Sequence, residues 1–243
     1  MSRVIPYVVV LIAAMLWGTV GTTKTYVTSD ANPLSIAMFR SILGGGLLMI
    51  VAAVFRKINF RQWPWKLTIY SALCMALFQP LFFISVEWTG VAVGTVVAIG
   101  SSPIFAGLIE WTVLKEKPNN AWRIATILAI TGCILLFFGQ QDRMIEPIGI
   151  VTALLAGVVF ATYTNVTKEL LKKEASLPAV GMIFTLSGIM LLPFSIYVGV
   201  GWIMESVNWL PMLVMAFFGT SIAYLLFFRG LRQIESSAAV TLS

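Results

Sequence analysis

Long apolar runs separated by short polar connections follow one another along the whole chain. Most runs approach the ~20 residues that an α-helix needs to cross the hydrocarbon core of a bilayer. The pattern therefore predicts eight membrane-spanning helices and the first residues of a ninth near Ser236. The eight predicted helices are Val4–Val27, Pro33–Phe55, Leu67–Val86, Val91–Leu114, Ile124–Gly139, Pro147–Thr167, Leu177–Val200 and Trp209–Phe228.

The seven residues from Gln140 to Glu146 connect two sets of predicted helices. Residues 1–139 form a first repeat of five helices, and residues 147–243 form a second, incomplete repeat. Because five is odd, the second repeat enters the membrane from the opposite side, as in inverted-repeat transporters. We therefore predict an all-α polytopic membrane protein with a ten-helix inverted-repeat (5+5) transporter fold, of which eight helices and the start of a ninth are present. On this interpretation the chain is a fragment of a ten-helix protein, and a natural eight-helix protein with a short apolar tail is the alternative.

Composition and charge agree with a membrane protein. Hydrophobic residues make up 59% of the chain and charged residues 11%, whereas a soluble domain has roughly 25% charged residues. The net charge of +6 comes from residues between the apolar runs, so it indicates topology and not nucleic-acid binding. Of the 16 basic residues, 13 fall on the side that holds the N-terminus and one, Arg143, falls on the other. The positive-inside rule then predicts a cytoplasmic N-terminus in a multi-pass protein of the cell (inner) membrane.

Several short motifs lie in a characteristic order along the predicted helices. They are Leu16-Trp17-Gly18, Pro33 followed by Phe39-Arg40, Thr89-Gly90-Val91-Ala92 leading to Ser101-Ser102-Pro103, Leu114-Lys115-Glu116-Lys117-Pro118, and Gly219-Thr220-Ser221-Ile222-Ala223-Tyr224 leading to Arg229-Gly230-Leu231. In this order and spacing, the chain resembles the EamA-type branch of the drug/metabolite transporter superfamily over its whole length. The resemblance implies ten helices, cytoplasmic termini, and export of drugs or of metabolites such as amino acids through a central cavity.

Two cations lie within the predicted spans: Lys24 near the outer end of the first helix, and Arg40 about 10 Å below the outer surface. A cation in the membrane interior costs at least ~2.5 kcal/mol and usually faces a cavity or a partner. Both are candidates for attracting an anionic group, such as a carboxylate, of the substrate. The alternatives are snorkelling of Lys24 to the interface, and a structural contact of Arg40 with helix-end carbonyls or Asp30.

Polar and aromatic side chains inside the spans are the other candidates for the lining of a substrate cavity. Substrate sites near the membrane midplane need a few polar groups set against apolar walls. Hydrogen bonds between helices are the alternative role of the same side chains. These candidates are Trp17, Thr22, Thr23, Gln79, Ser101, Ser102, Tyr163, Asn165 and Tyr224.

Glu110 is an acid well inside a predicted span, near the cytoplasmic end of the fourth helix. A titratable group at such depth is a candidate proton carrier, which would make protons the coupling ion. The alternative is a pairing with Lys115 or another basic residue of the cytoplasmic face.

Glycines add one structural prediction: Gly44-Gly45-Gly46 and the Gly90-x-x-x-Gly94 spacing favour close helix crossings.

No motif in the sequence supports catalysis. The chain has no histidine, which excludes a His-dependent catalytic dyad. Asp30 and Asp142 fall in predicted loops, so an intramembrane aspartyl protease is not supported either. We predict a transporter of small metabolites or drugs that works by alternating access, not an enzyme. No cofactor, metal or nucleic acid is predicted, only a small-molecule substrate and the lipid bilayer. A membrane-embedded scaffold or receptor without transport activity is the alternative.

Overall fold

The computed structural model describes residues 4–55, 60–113 and 146–243, with residues 115, 122–124, 126–127, 130–132 and 135. Within these residues all repetitive secondary structure is helical, and seven helices are long and apolar enough to cross a membrane. Most of the predicted fifth helix lies outside the described residues. The described helices are α1 (Ile5–Lys24), α2 (Pro33–Val54), α3 (Trp65–Thr89), α4 (Val91–Thr112), α5 (Pro147–Leu171), α6 (Ser176–Val198), α7 (a span over Ser206–Leu231 whose helix begins at Trp209) and the short α8 (Ser236–Thr241).

Local sequence signals account for several helix boundaries. Proline opens α2 and α5, where its missing N–H and restricted φ suit the first helical position. Asn32 also caps α2, since its side-chain oxygen accepts a hydrogen bond from the Leu34 N–H at 2.9 Å. Gly90 separates α3 from α4 with φ of 83°, a left-handed conformation that glycine adopts without steric cost.

The bundle has two ends, which we call the Asn208 end and the Lys172 end. At the Asn208 end, the buried Asn208 side chain accepts a hydrogen bond from the Thr28 N–H at 3.0 Å. This contact joins the α1–α2 connection to the α6–α7 connection. Toward the Lys172 end, the Thr167 hydroxyl of α5 donates to the Ser71 hydroxyl of α3 at 3.1 Å, so α5 ends where α3 begins.

Corresponding helices of the two halves run in opposite directions between these ends. Helices α1 and α3 run toward the Asn208 end, whereas α5 and α7 run away from it. Helix α2 packs antiparallel against α6, and α3 packs on α5 as α7 packs on α1. Opposite directions of this kind are what an inverted repeat predicts, and the repeat with its ten-helix arrangement stays a prediction.

Helices α2 and α6 approach each other closely. A β-carbon at Gly45 would lie 2.5 Å from the Thr185 backbone nitrogen, and one at Gly181 would lie 2.9 Å from the Met49 nitrogen. At Gly46, the next residue, a β-carbon would meet nothing within 4 Å. The close crossing predicted from the glycine cluster is therefore present, and Gly45 faces it.

Helix α7 changes its winding in its middle. It starts as an α-helix, continues as a π-helix over Met215–Ile222, and returns to an α-helix at Ala223–Leu231. In the π-helical part, the Ser221 hydroxyl bonds to the Gly44 carbonyl of α2 at 2.9 Å. Wider turns of this kind are often found at functional sites, and Tyr224 lies two residues after the end of this one.

Candidate functional site

A cavity of about 280 Å³ lies among α1, α2, α3, α4, α5 and α7. Four of the residues predicted from the sequence line it together: Trp17, Arg40, Gln79 and Tyr224. They come from four different helices and from both halves of the chain. The remaining walls are mainly small aliphatic and phenylalanine side chains, so the polar groups are few and set against apolar surface.

Gln79 of α3 links two helices and also faces the cavity. Its Nε2 donates a hydrogen bond of 2.6 Å to the Ser41 hydroxyl of α2. Its Oε1 is buried and has no hydrogen-bond partner within the described part of the chain. The Nε2 of Gln79 therefore makes a hydrogen bond between helices, which was the alternative role predicted for this side chain. Its Oε1 is an acceptor without a partner in the described structure.

Arg40 of α2 is only 5% exposed. Its Nε is buried without a hydrogen-bond partner, and no carboxylate pairs with its guanidinium among the described residues. Asp30, the partner proposed from the sequence, instead accepts a hydrogen bond from Ser29 at 3.3 Å. Neither a helix-end carbonyl nor Asp30 thus holds Arg40 in the described structure. Its charged side chain lines the cavity.

Aromatic rings form one wall of the cavity. The Trp17 ring lies 4.6 Å from the Tyr224 ring and 6.1 Å from the Phe160 ring, measured between centroids. Phe78 lies 4.8 Å from Phe160 on the same wall. The buried Nε1 of Trp17 has no acceptor within the described residues, which leaves a donor at this wall.

A second cavity, of about 310 Å³, opens toward the Asn208 end and is lined by Lys24 and Glu87. Gly21 and Val91 line both cavities, so these two residues stand between them. The Phe83 ring connects the cations of the two sites: Lys24 Nζ lies 5.7 Å from its centroid and Arg40 Cζ lies 5.8 Å from it. Both distances are within the range of cation–π contacts.

The other predicted lining residues lie outside the central cavity. Thr22 is exposed, and Tyr163 packs behind the aromatic wall, 6.4 Å from the Tyr224 ring. Four others donate hydrogen bonds to carbonyls of their own helices one turn back, a common arrangement for hydroxyl and amide side chains in helices. These are Thr23 to Thr19, Ser101 and Ser102 to Ala98, and Asn165 to Ala161.

Glu110 lies near the Lys172 end and is 5% exposed. Its Oε1 accepts a hydrogen bond from the backbone N–H of Ser237 in α8 at 3.3 Å. No ion pair joins it to Lys115 in the described structure. The acid is therefore buried against α8, away from the central cavity.

Comparison with known proteins decides the family. A model of the EamA-like transporter family matches residues 4–138 and 147–243, which is nearly the whole chain. The chain belongs to this family.

This EamA-family protein is 42% identical to the uncharacterized transporter YwfM of Bacillus subtilis, over 96% of its own length and 79% of that of YwfM. It is 25% identical to the uncharacterized inner membrane transporter YicL of Salmonella typhimurium, over 96% of this chain and 81% of the relative. A protein of known crystal structure has the same fold, with a TM-score of 0.81 at 15% identity over 98% of this chain and 83% of the other.

Sequence reasoning about this EamA transporter missed the phenylalanines of the site. Phe78, Phe83 and Phe160 line the cavity, but an aromatic residue inside an apolar run looks the same whether it faces lipid, core or cavity. One signal was available: Phe83 follows Gln79 by four residues, and this spacing places both on one face of a helix. Membership of this family, with seven described helices able to cross a membrane, makes the chain a multi-pass membrane transporter, which implies small-molecule substrates.

Proposed function

We propose that this transporter exports small metabolites or drugs and that the central cavity is its substrate site. The observation that carries the proposal is the convergence of Trp17, Arg40 and Gln79 on one cavity, each with a polar atom that lacks a partner in the described structure. A buried polar group without a partner costs free energy. A substrate that supplies the missing partners would recover that free energy on binding.

The position of the cavity supports alternating access. It is bounded by helices of both halves, and the two halves meet at the close α2–α6 crossing. In inverted-repeat transporters, one repeat moves against the other around a site at their junction. The opposite directions of corresponding helices support the same motion here, with α2 and α6 as the contact that is kept.

The distribution of basic residues supports a cytoplasmic Lys172 end in the cell membrane. The loops and helix ends described there carry nine basic residues: Arg61, Lys66, Lys115, Arg123, Lys168, Lys172, Lys173, Arg229 and Arg232. At the Asn208 end, the described residues include Lys24. An excess of basic residues marks the cytoplasmic side of a membrane protein.

Cysteine labelling tests this orientation. In a variant with Cys74 and Cys133 replaced by alanine, Tyr26→Cys should react with a membrane-impermeant maleimide in intact cells, because Tyr26 is 69% exposed at the Asn208 end. Lys172→Cys should react only after the membrane is permeabilised. The reverse pattern would contradict the proposed orientation.

Export itself is tested by comparing the solutes that cells release. Cells that produce the protein should enrich at least one small molecule in the medium several-fold, measured by untargeted mass spectrometry. Gln79→Leu removes the free acceptor at similar side-chain size and should abolish the enrichment. Thr162→Val is the matched control, because the Thr162 hydroxyl only bonds to its own helix at Val158. Media identical to those of cells without the protein would argue for a scaffold or receptor, and an enrichment that persists in Gln79→Leu at equal amounts in the membrane would place the substrate site elsewhere.

Glu110 is the proposed proton carrier, on the basis of its burial in a span. Glu110→Gln preserves an acceptor for the Ser237 N–H but cannot release a proton. Export by this variant should therefore lose its dependence on a pH gradient imposed across vesicles. If export by Glu110→Gln responds to the gradient as the wild type does, Glu110 is not the carrier.

A further inference from the structure

The side chains that line the central cavity include a cation but no acidic residue among the described residues. Arg40 contributes the cation to the lining of this cavity, no Asp or Glu side chain lines it among the described residues, and Ser243, whose carboxyl group ends this chain, also lines it but forms no ion pair with Arg40. Glu87 lines the second cavity, on the far side of Gly21 and Val91. A cation that has no paired carboxylate at low dielectric favours a ligand that carries a negative charge.

Arg40 is also free to accept such a ligand. Its Nε is buried without a partner, and no described residue forms an ion pair or a hydrogen bond with its guanidinium. An arginine offers several N–H groups in a planar fork that matches a carboxylate. The nearby ring of Phe83 contributes a cation–π contact at 5.8 Å, which stabilises the charge without neutralising it.

The rest of the cavity suits an apolar body with a ring. Trp17, Phe78 and Phe160 present aromatic surface, and aromatic pairs add attraction beyond the burial of area. A volume of about 280 Å³ equals that of about nine waters in the liquid, at roughly 30 Å³ each. This space accommodates one aromatic ring and a short acidic chain.

We infer that the central cavity binds an organic monoanion, with its carboxylate on Arg40 and an apolar, ring-bearing body against Trp17 and Phe160. The inference names the substrate class of the site and rests on the proposed function. It distinguishes the substrate from a zwitterionic amino acid, because an ammonium group beside Arg40 would meet no Asp or Glu side chain of the described lining. Gln79 Oε1 is an acceptor without a described partner in this cavity, but it is a neutral atom.

Three probes with the same ring and different charges test the inference directly. Phenylpropionate is an anion, phenylalanine adds an ammonium group to it, and phenethylamine carries the ammonium group alone. Binding of each to the purified full-length chain in lipid nanodiscs is measured by competition against radiolabelled phenylpropionate. Phenylpropionate should bind at least tenfold more tightly than phenylalanine, and phenethylamine should bind most weakly. Equal or tighter binding of phenylalanine or phenethylamine, or no saturable binding of phenylpropionate at millimolar concentration, would overturn the inference.

Substitutions of Arg40 test whether the carboxylate of the ligand binds at this residue. Arg40→Gln should weaken phenylpropionate binding at least tenfold, and Arg40→Lys should weaken it less, because the charge is kept. Lys172→Gln is the matched control: it also removes one cation, but Lys172 is exposed and paired with Glu169 at 2.5 Å. Thermal stability provides a second readout, because removal of a buried cation that has no described partner should leave the unfolding temperature unchanged or raise it. Unchanged phenylpropionate affinity in Arg40→Gln would overturn the inference, and so would a clear loss of stability without a change in affinity.

Failure of this inference and failure of the proposed function give different results. If phenylpropionate binds through Arg40 but the protein moves no solute in vesicles or cells, the binding site stands and the transport proposal fails. If the protein exports a zwitterion or a cation and Arg40→Gln exports it equally well, transport stands and the monoanion inference fails.

Discussion

Gly45 offers a quantitative test of the α2–α6 crossing. A β-carbon there would lie 2.5 Å from the Thr185 nitrogen and 2.8 Å from the Phe184 carbonyl carbon, whereas ordinary van der Waals contact begins at 3.4 Å. In Gly45→Ala, the two backbones must therefore separate locally by roughly 1 Å, since neither contact is with the flexible end of a side chain. Overpacking of this kind costs about 1–3 kcal/mol, and the better helix propensity of alanine offsets up to about 1 kcal/mol.

The expected net loss of about 1–2 kcal/mol corresponds to a fall in the unfolding temperature of roughly 2–8 °C for a chain of this size. Thermal unfolding of the purified protein in detergent, followed by tryptophan fluorescence, measures it. Gly46→Ala is the matched control, because it lies one residue further along the same helix and meets nothing within 4 Å. That variant should unfold at the wild-type temperature or slightly above it. Equal unfolding temperatures for the two variants would refute the close crossing as the structure has it.

Three further substitutions probe the site and the Asn208 end. Trp17→Phe keeps an aromatic ring but removes the indole N–H that has no described acceptor, so phenylpropionate binding should fall several-fold with little change in unfolding temperature. Gly21→Val should slow export more than tenfold in a vesicle assay, because even a β-carbon at Gly21 would lie 3.0 Å from Val91 Cγ1, between the two cavities; unimpeded export would place the pathway elsewhere. Asn208→Ala leaves the Thr28 N–H without its acceptor and should lower the free energy of unfolding by about 1–3 kcal/mol, measured by thermal melting.

Helix positions were largely predictable, and the errors have a common cause. The predicted starts of the second and sixth helices, at Pro33 and Pro147, are confirmed because proline marks the first helical position directly. The predicted third helix stopped at Val86, but α3 continues to Thr89. Glu87 and Trp88 lower the hydropathy of that turn without breaking its backbone hydrogen bonds, and Gly90 with its positive φ ends the helix instead.

Site residues were predictable as a set but not one by one. Gln79 and Ser102 look alike in the sequence, since each is a polar residue that precedes a proline inside an apolar run. In the structure, Gln79 reaches Ser41 and the cavity, whereas Ser102 bonds to the Ala98 carbonyl of its own helix. In lipid both the buried and the exposed faces of a helix are apolar, so no polar stripe marks which face turns inward.

The sequence by itself determined that the chain crosses a membrane, roughly where each described helix begins and ends, and to which family it belongs. These properties depend on the length of apolar runs, on proline and glycine at helix ends, and on short motifs, all of which are local. Only the tertiary structure decided which side chains meet. The cost of a cation in the membrane predicted that Arg40 faces a cavity or a partner. Packing of helices from both halves then placed it beside Phe83 and in the same cavity as Gln79, with no hydrogen-bond or ion-pair partner in the described part of the chain.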